Sequence, residues 1–179
     1  MKARKYKELF RLRAEIDEST GRERRRAEYL GAHFAFPKDG ATARERAARL
    51  AVPVAAYWAA ALAYLLMAGP TGRCMYALVP FLLGLFPGAY AAMGLVAMAR
   101  APRRMTVVQR ENGVARVLRS GLGCGVFSAA GTVGAVVCLS VEGVWRIGWH
   151  EPLLTAVAAC AGFCAFVLAR RDYRALREA

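Results

Sequence analysis

Four stretches of this chain hold no Asp, Glu, Lys, Arg or His: residues 51–68, 76–99, 121–141 and 153–169. A charged side chain at the centre of a lipid bilayer costs about 2.5–3.5 kcal/mol on insertion scales, so uncharged runs of this length fit membrane spans. Four such runs in succession exclude a soluble helical bundle, which would have to hide them all in 179 residues. Histidine is also scarce, with only His33 and His150. His33 has no companion ligands nearby, which excludes a metal role for it. No glycine-rich phosphate loop, metal-ligand cluster, nucleophile elbow or kinase signature occurs, so no cofactor and no catalytic residue is expected. Acidic residues number 13 against 26 Lys and Arg.

The five cysteines form no secreted framework. Cys124, Cys138, Cys160 and Cys164 lie within apolar runs, and Cys74 stands at the entrance of the second. All read as small, polarisable packing residues. Four-span quinone oxidoreductases that generate disulfides use a Cys-x-x-Cys pair at the outer surface. Here Cys160 and Cys164 are one residue further apart, mid-span and without a nearby base, so that chemistry is not expected. The small multidrug exporters, also four-span, need a carboxylate inside the membrane; the runs here have none.

What is present is hydrophobicity and positive charge, kept apart. The chain is 57% hydrophobic yet carries a net charge of +13. Residues 1–50 hold 14 Lys or Arg, residues 100–120 hold 6 and residues 170–179 hold 4. The short connections between spans hold only Arg73 and Arg146. The positive-inside rule therefore predicts both termini and the link 100–120 in the cytoplasm of a bacterial cell, with the protein multi-pass in its inner membrane. The first apolar run begins about fifty residues in, so it is expected to be a span and not a cleaved leader.

The expected fold is all-α: a four-transmembrane-helix bundle over residues 42–169, a basic amphipathic arm over 1–41, a linker at 100–120 and a basic tail at 170–179. Residues 1–18 read as an amphipathic helix with Tyr6, Leu9, Phe10 and Ile16 on one face, able to lie on anionic lipid or on a partner. The segment after it carries Arg22, Arg24, Arg25 and Arg26. Such a patch in isolation suggests nucleic acid, but on a membrane protein it reads as a topology signal near acidic lipid.

Thr42 and Glu45 have capping-box spacing, which starts a helix that continues through Pro53. Tyr57 and Tyr64 share a face whose hydroxyls need partners, so that face is expected inside the bundle. Pro80 and Pro87 interrupt the second run; broken spans can mark substrate sites but are also common in plain packing. Gly84, Gly88 and Ala92 form a small-xxx-small ladder, and Gly125, Gly131 and Gly162 allow close approach on the third and fourth runs. These ladders predict a homo-oligomer or a larger membrane-protein partner. Between runs three and four, Glu142, Arg146 and His150 recur at four-residue spacing beside Glu151. The expected role is an interfacial anchor with paired charges; an active site is the rival reading.

In the link, Thr106 and Gln109 have capping-box spacing and favour a helix over a hairpin at residues 111–113. Pro102, Thr106, Gln109, Arg116, Arg119 and Ser120 before an apolar run resemble the linkers of small four-span membrane proteins of Gram-positive bacteria. That resemblance covers link and layout and implies no activity. Arg103, Arg104, Arg110, Arg116, Arg24 and Arg25 are the expected contacts to lipid phosphate. An accessory or scaffolding membrane subunit is the expected function, with a small oligomeric transporter of a neutral solute or lipid as the alternative.

Overall fold

The computed structural model describes residues 10–16, 23–37, 41–67, 69–144 and 148–178. Four long helices dominate: α1 Ala43–Leu66, α2 Met75–Ala99, α3 Val107–Glu142 and α4 His150–Ala175. Each is long and apolar enough to cross a membrane. They pack as an antiparallel ring in which α1 meets α2 and α4, and α3 meets α2 and α4.

The helix starts follow local chemistry. Thr42 accepts from the Glu45 backbone N–H while the Glu45 carboxylate accepts from Thr42 N, a complete capping box. Thr106 and Gln109 repeat it at the start of α3. The link therefore becomes helical from Val107, as its spacing predicts. It passes through a π-helical turn, Glu111–Ala115, that sets Gly113 against Met98 of α2. α1 runs on through Pro53, and α2 through Pro80 and Pro87. α3 stops at Gly143, whose φ of 67° is left-handed and suits glycine.

The N-terminal helix expected over residues 1–18 is not what forms. Residues 1–9, 17 and 18 lie outside the described residues, and Phe10–Ile16 is a strand, β1. It pairs antiparallel with β2, Glu23–Tyr29, in register Phe10↔Tyr29 to Ile16↔Glu23. Backbone pairing with β2 satisfies the N–H and C=O groups that a helix would have satisfied internally, and the alternation of Phe10, Leu12, Ala14 and Ile16 with Arg11, Arg13 and Glu15 is the period-two pattern of a strand.

A second small sheet closes one end of the bundle. β3, His33–Ala35, lies between β4, Arg104–Thr106, and β5, Arg177–Glu178. It ties the arm, the link and the tail together. This end is the basic end; the opposite one, carrying the turn Pro70–Arg73 and the α3–α4 connection, is the loop end.

Glycine sets the helix spacing. A Cβ on Gly162 of α4 would lie 2.5 Å from the Gly125 nitrogen of α3, and one on Gly125 would meet the Phe163 ring at 2.8 Å. Gly131 faces Phe81 and the Ala77 carbonyl, while Gly84 and Gly88 face Tyr57 of α1. Ala92 is half-buried on α2. The glycine ladders thus receive helices of the same chain. Tyr57, Tyr64 and Phe81 fill the core between them, with the Tyr64 and Phe81 rings 4.4 Å apart.

Candidate functional site

Polar chemistry gathers at the two ends of the bundle. At the loop end, Glu151 in the first turn of α4 is 0% exposed. Its Oε2 accepts from the Thr71 backbone N–H at 2.9 Å and also from the Thr71 hydroxyl. The Tyr64 hydroxyl lies 3.1 Å from Thr71 Oγ1. Oε1 is buried without a hydrogen-bond partner among the described residues and sits directly against Gly69. The positive end of the α4 dipole favours an acidic side chain here by about 0.3–1 kcal/mol. Further along, Thr155 donates to the Glu151 and Pro152 carbonyls, and Thr132 of α3 reaches Thr155 Oγ1 at 3.0 Å. A polar thread therefore joins α1, the 70–73 turn, α4 and α3.

The anchor expected from Glu142, Arg146, His150 and Glu151 does not gather on one helical face. The α3–α4 connection divides it. Glu142 ends α3 and is exposed, His150 packs edge-on against Trp149, and Arg146 lies outside the described residues. Glu151 turns inward instead.

Beside this thread stands a group that sequence reasoning did not assemble. Cys74 and Cys138 are joined by a disulfide across 64 residues, with Cα atoms 6.6 Å apart. Both are buried. Glu142 Oε1 lies 3.6 Å from Cys74 Sγ. A disulfide sulfur has no proton to donate, so this is a contact and not a hydrogen bond. A depth argument could have found the pair: Cys74 directly precedes α2 and Cys138 lies four residues before α3 ends, so antiparallel neighbours bring them level. Cys124 is buried, whereas Cys160 and Cys164 are free and exposed on α4.

The expected lipid-contact arginines fall into three pairs. Arg103 and Arg104 are exposed, the latter on β4 opposite Ala35. Arg110 is half-buried. It lies 4.1 Å from the Phe34 ring and 5.3 Å from the Tyr173 ring, with Glu111 at 3.8 Å. Arg116 donates to Asn112 Oδ1 at 2.9 Å and lies 5.7 Å from the Tyr90 ring. Stacking on aromatic faces holds such guanidinium groups in place by about 0.5–2 kcal/mol. Arg24 and Arg25 lie on β2 opposite Glu15 and Ala14. Arg44, Arg49, Arg100, Arg119, Arg170, Arg171, Arg174 and Arg177 add exposed positive charge at the basic end.

Among the bundle helices, Pro53, Tyr57, Cys124, Gly162 and Ala165 help line a cleft of about 10 Å³. That is room for about one water. No protein-family model, curated protein or solved structure matches the chain.

Proposed function

We propose that this protein is an accessory or scaffolding membrane subunit, binding a larger membrane protein or further copies of itself, and anionic lipid through its basic end. One observation supports this reading above others. Three arginine-rich segments far apart in sequence are knitted by β3, β4 and β5 into one cap, with Arg103 and Arg104 exposed on it. Basic side chains beside an anionic leaflet gain about 1 kcal/mol each. The positive-inside rule then orients the cap, with both termini, toward the cytoplasm of a bacterial inner membrane.

The test is cross-linking in native membranes, then mild extraction and mass spectrometry of what travels with the chain. A stoichiometric larger membrane protein, or a defined assembly that retains anionic lipid, supports the proposal. Purified protein that moved a solute across reconstituted vesicles would overturn it.

A small oligomeric transporter of a neutral solute or lipid is the second reading. The buried Glu151 Oε1, without a hydrogen-bond partner among the described residues, favours it, because ionisable groups held inside a membrane bundle commonly serve transport. Flux that disappears in Glu151→Gln supports this reading, and no flux across a broad solute panel removes it.

A further inference from the structure

We propose that Cys74, Cys138 and Glu142 form a redox-gated zinc site at the loop end of the bundle. The three residues offer ligand atoms that all lie within 4.8 Å of one another. Cys138 and Glu142 are four residues apart on α3, so their side chains share a helical face. Cys74 comes to that face from the start of α2.

The geometry suits a tetrahedral ion. With Zn–S near 2.3 Å and Zn–O near 2.0–2.2 Å, a sulfur and an oxygen on one Zn²⁺ stand about 3.6 Å apart. Cys74 Sγ and Glu142 Oε1 are already 3.6 Å apart. The two sulfurs must part to about 3.8 Å, the corresponding sulfur–sulfur edge. The 6.6 Å between their Cα atoms leaves room for that through side-chain rotation.

Two thiolates select a thiophilic ion, and one carboxylate keeps the set within the range Zn²⁺ accepts. Three protein ligands leave a fourth position for water, the arrangement of an open zinc site and not of a closed structural one. Glu142 is exposed, which gives the ion a path to buried Cys138.

The disulfide is the closed state. A dithiol reductant supplies two electrons and two protons, converting the S–S bond to two thiols while becoming a disulfide itself. Each thiol then gives up its proton as its sulfur binds the metal, and the protons leave to solvent. Reoxidation by a disulfide oxidant, which takes two electrons from the two thiolates and leaves as two thiolates of its own, restores the S–S bond and expels the ion. The bundle stays joined at α2 and α3 in either state, through sulfur in one and through metal in the other.

The test uses the full chain in detergent micelles. One portion is reduced with a phosphine, which takes oxygen from water as the disulfide opens, and is desalted anaerobically; another stays oxidised. Both are titrated with Co²⁺, a coloured substitute for Zn²⁺. The expected result is one equivalent bound by the reduced chain, a thiolate-to-cobalt charge-transfer band, loss of the band on adding Zn²⁺, and no band from the oxidised chain. Glu142→Gln should weaken binding by about tenfold or more while the band persists, since even outer-shell changes cost 10–100-fold. Cys160→Ser/Cys164→Ser should bind as the parent does. The proposal fails if the reduced chain gives no band, if the oxidised chain gives the same one, or if the Cys160/Cys164 variant loses it. The redox comparison uses one polypeptide and decides the proposal by itself where a variant misfolds; a variant's result counts only when its helical circular dichroism matches the parent's.

Discussion

Arg46 and Asp172 meet as a buried ion pair at the basic end, Nη1 to Oδ1 2.5 Å, across 126 residues of chain. Arg46 Nε also donates to the Ala41 carbonyl at 2.9 Å, and its guanidinium lies 4.4 Å from the Phe36 ring. Arg49 stands 3.7 Å from the same Asp172 oxygen but is largely exposed. This pair fastens the start of α1 to the end of α4, directly above the apolar cluster of Leu50, Met98, Val114, Val117 and Ala169.

Removing one partner strands the other charge. Arg46→Met should cost about 3–5 kcal/mol, because Asp172 keeps its burial and loses its main partner. Arg46→Met/Asp172→Leu should recover most of that loss. Reversible unfolding in micelles measures both; a double variant no more stable than Arg46→Met would contradict the pairing.

Close helix contact predicts asymmetric tolerance among glycines. Gly162→Val would press a side chain into the α3 backbone at Gly125, and overpacking of this kind costs about 1–3 kcal/mol or more. Gly113→Ala would meet Met98 only at 3.5 Å, an ordinary contact. It should leave stability unchanged or raise it by up to about 1 kcal/mol through reduced backbone entropy. Equal losses in the two variants would show that α3 and α4 do not pack at this distance.

The Thr71–Glu151 contact is the loop-end counterpart of the basic-end pair. Thr71→Val removes the hydroxyl donor and should destabilise by about 1–3 kcal/mol, since a second buried acceptor site is left unmade. Glu151→Gln keeps an oxygen for the Thr71 N–H and should cost less. A larger loss in Glu151→Gln than in Thr71→Val would mean that Glu151 is held by something other than Thr71.

The cap depends on Phe34, which is buried on β3 beneath the Arg110 guanidinium. Phe34→Ala should loosen the sheet by about 3 kcal/mol while leaving the four helices assembled. Limited proteolysis then cuts the arm and tail sooner, with helical circular dichroism unchanged. Simultaneous loss of helix signal would mean that cap and bundle form one cooperative unit.

The sequence carried different parts of this structure with different clarity. Both capping boxes were legible because Thr42 with Glu45, and Thr106 with Gln109, need only partners three residues away. The inward face of Tyr57 and Tyr64 was legible because a hydroxyl in an apolar span must find shelter. Over Phe10–Ile16 the strand was legible too, since apolar Phe10, Leu12, Ala14 and Ile16 alternate with charged Arg11, Arg13 and Glu15; the wider helix reading of residues 1–18 passed over that period, and the partner Glu23–Tyr29 completes it. The glycine ladders were visible, but the sequence could not say whose helix would fill them.

The chain by itself determined its four spans. Length and freedom from charge are local properties, and the bilayer's thickness and its penalty for charge act on each run separately. Only the tertiary structure decided what those spans bring together. The Cys74–Cys138 link, the burial of Glu151 against Thr71, the Arg46–Asp172 pair and the three-stranded cap each join residues from distant segments. Their positions depend on helix rotation and depth. Those are set by how Gly134 and Gly162 let neighbouring backbones approach and how Gly84 and Gly125 receive side chains of neighbouring helices, which is a property of pairs of helices and not of any one run.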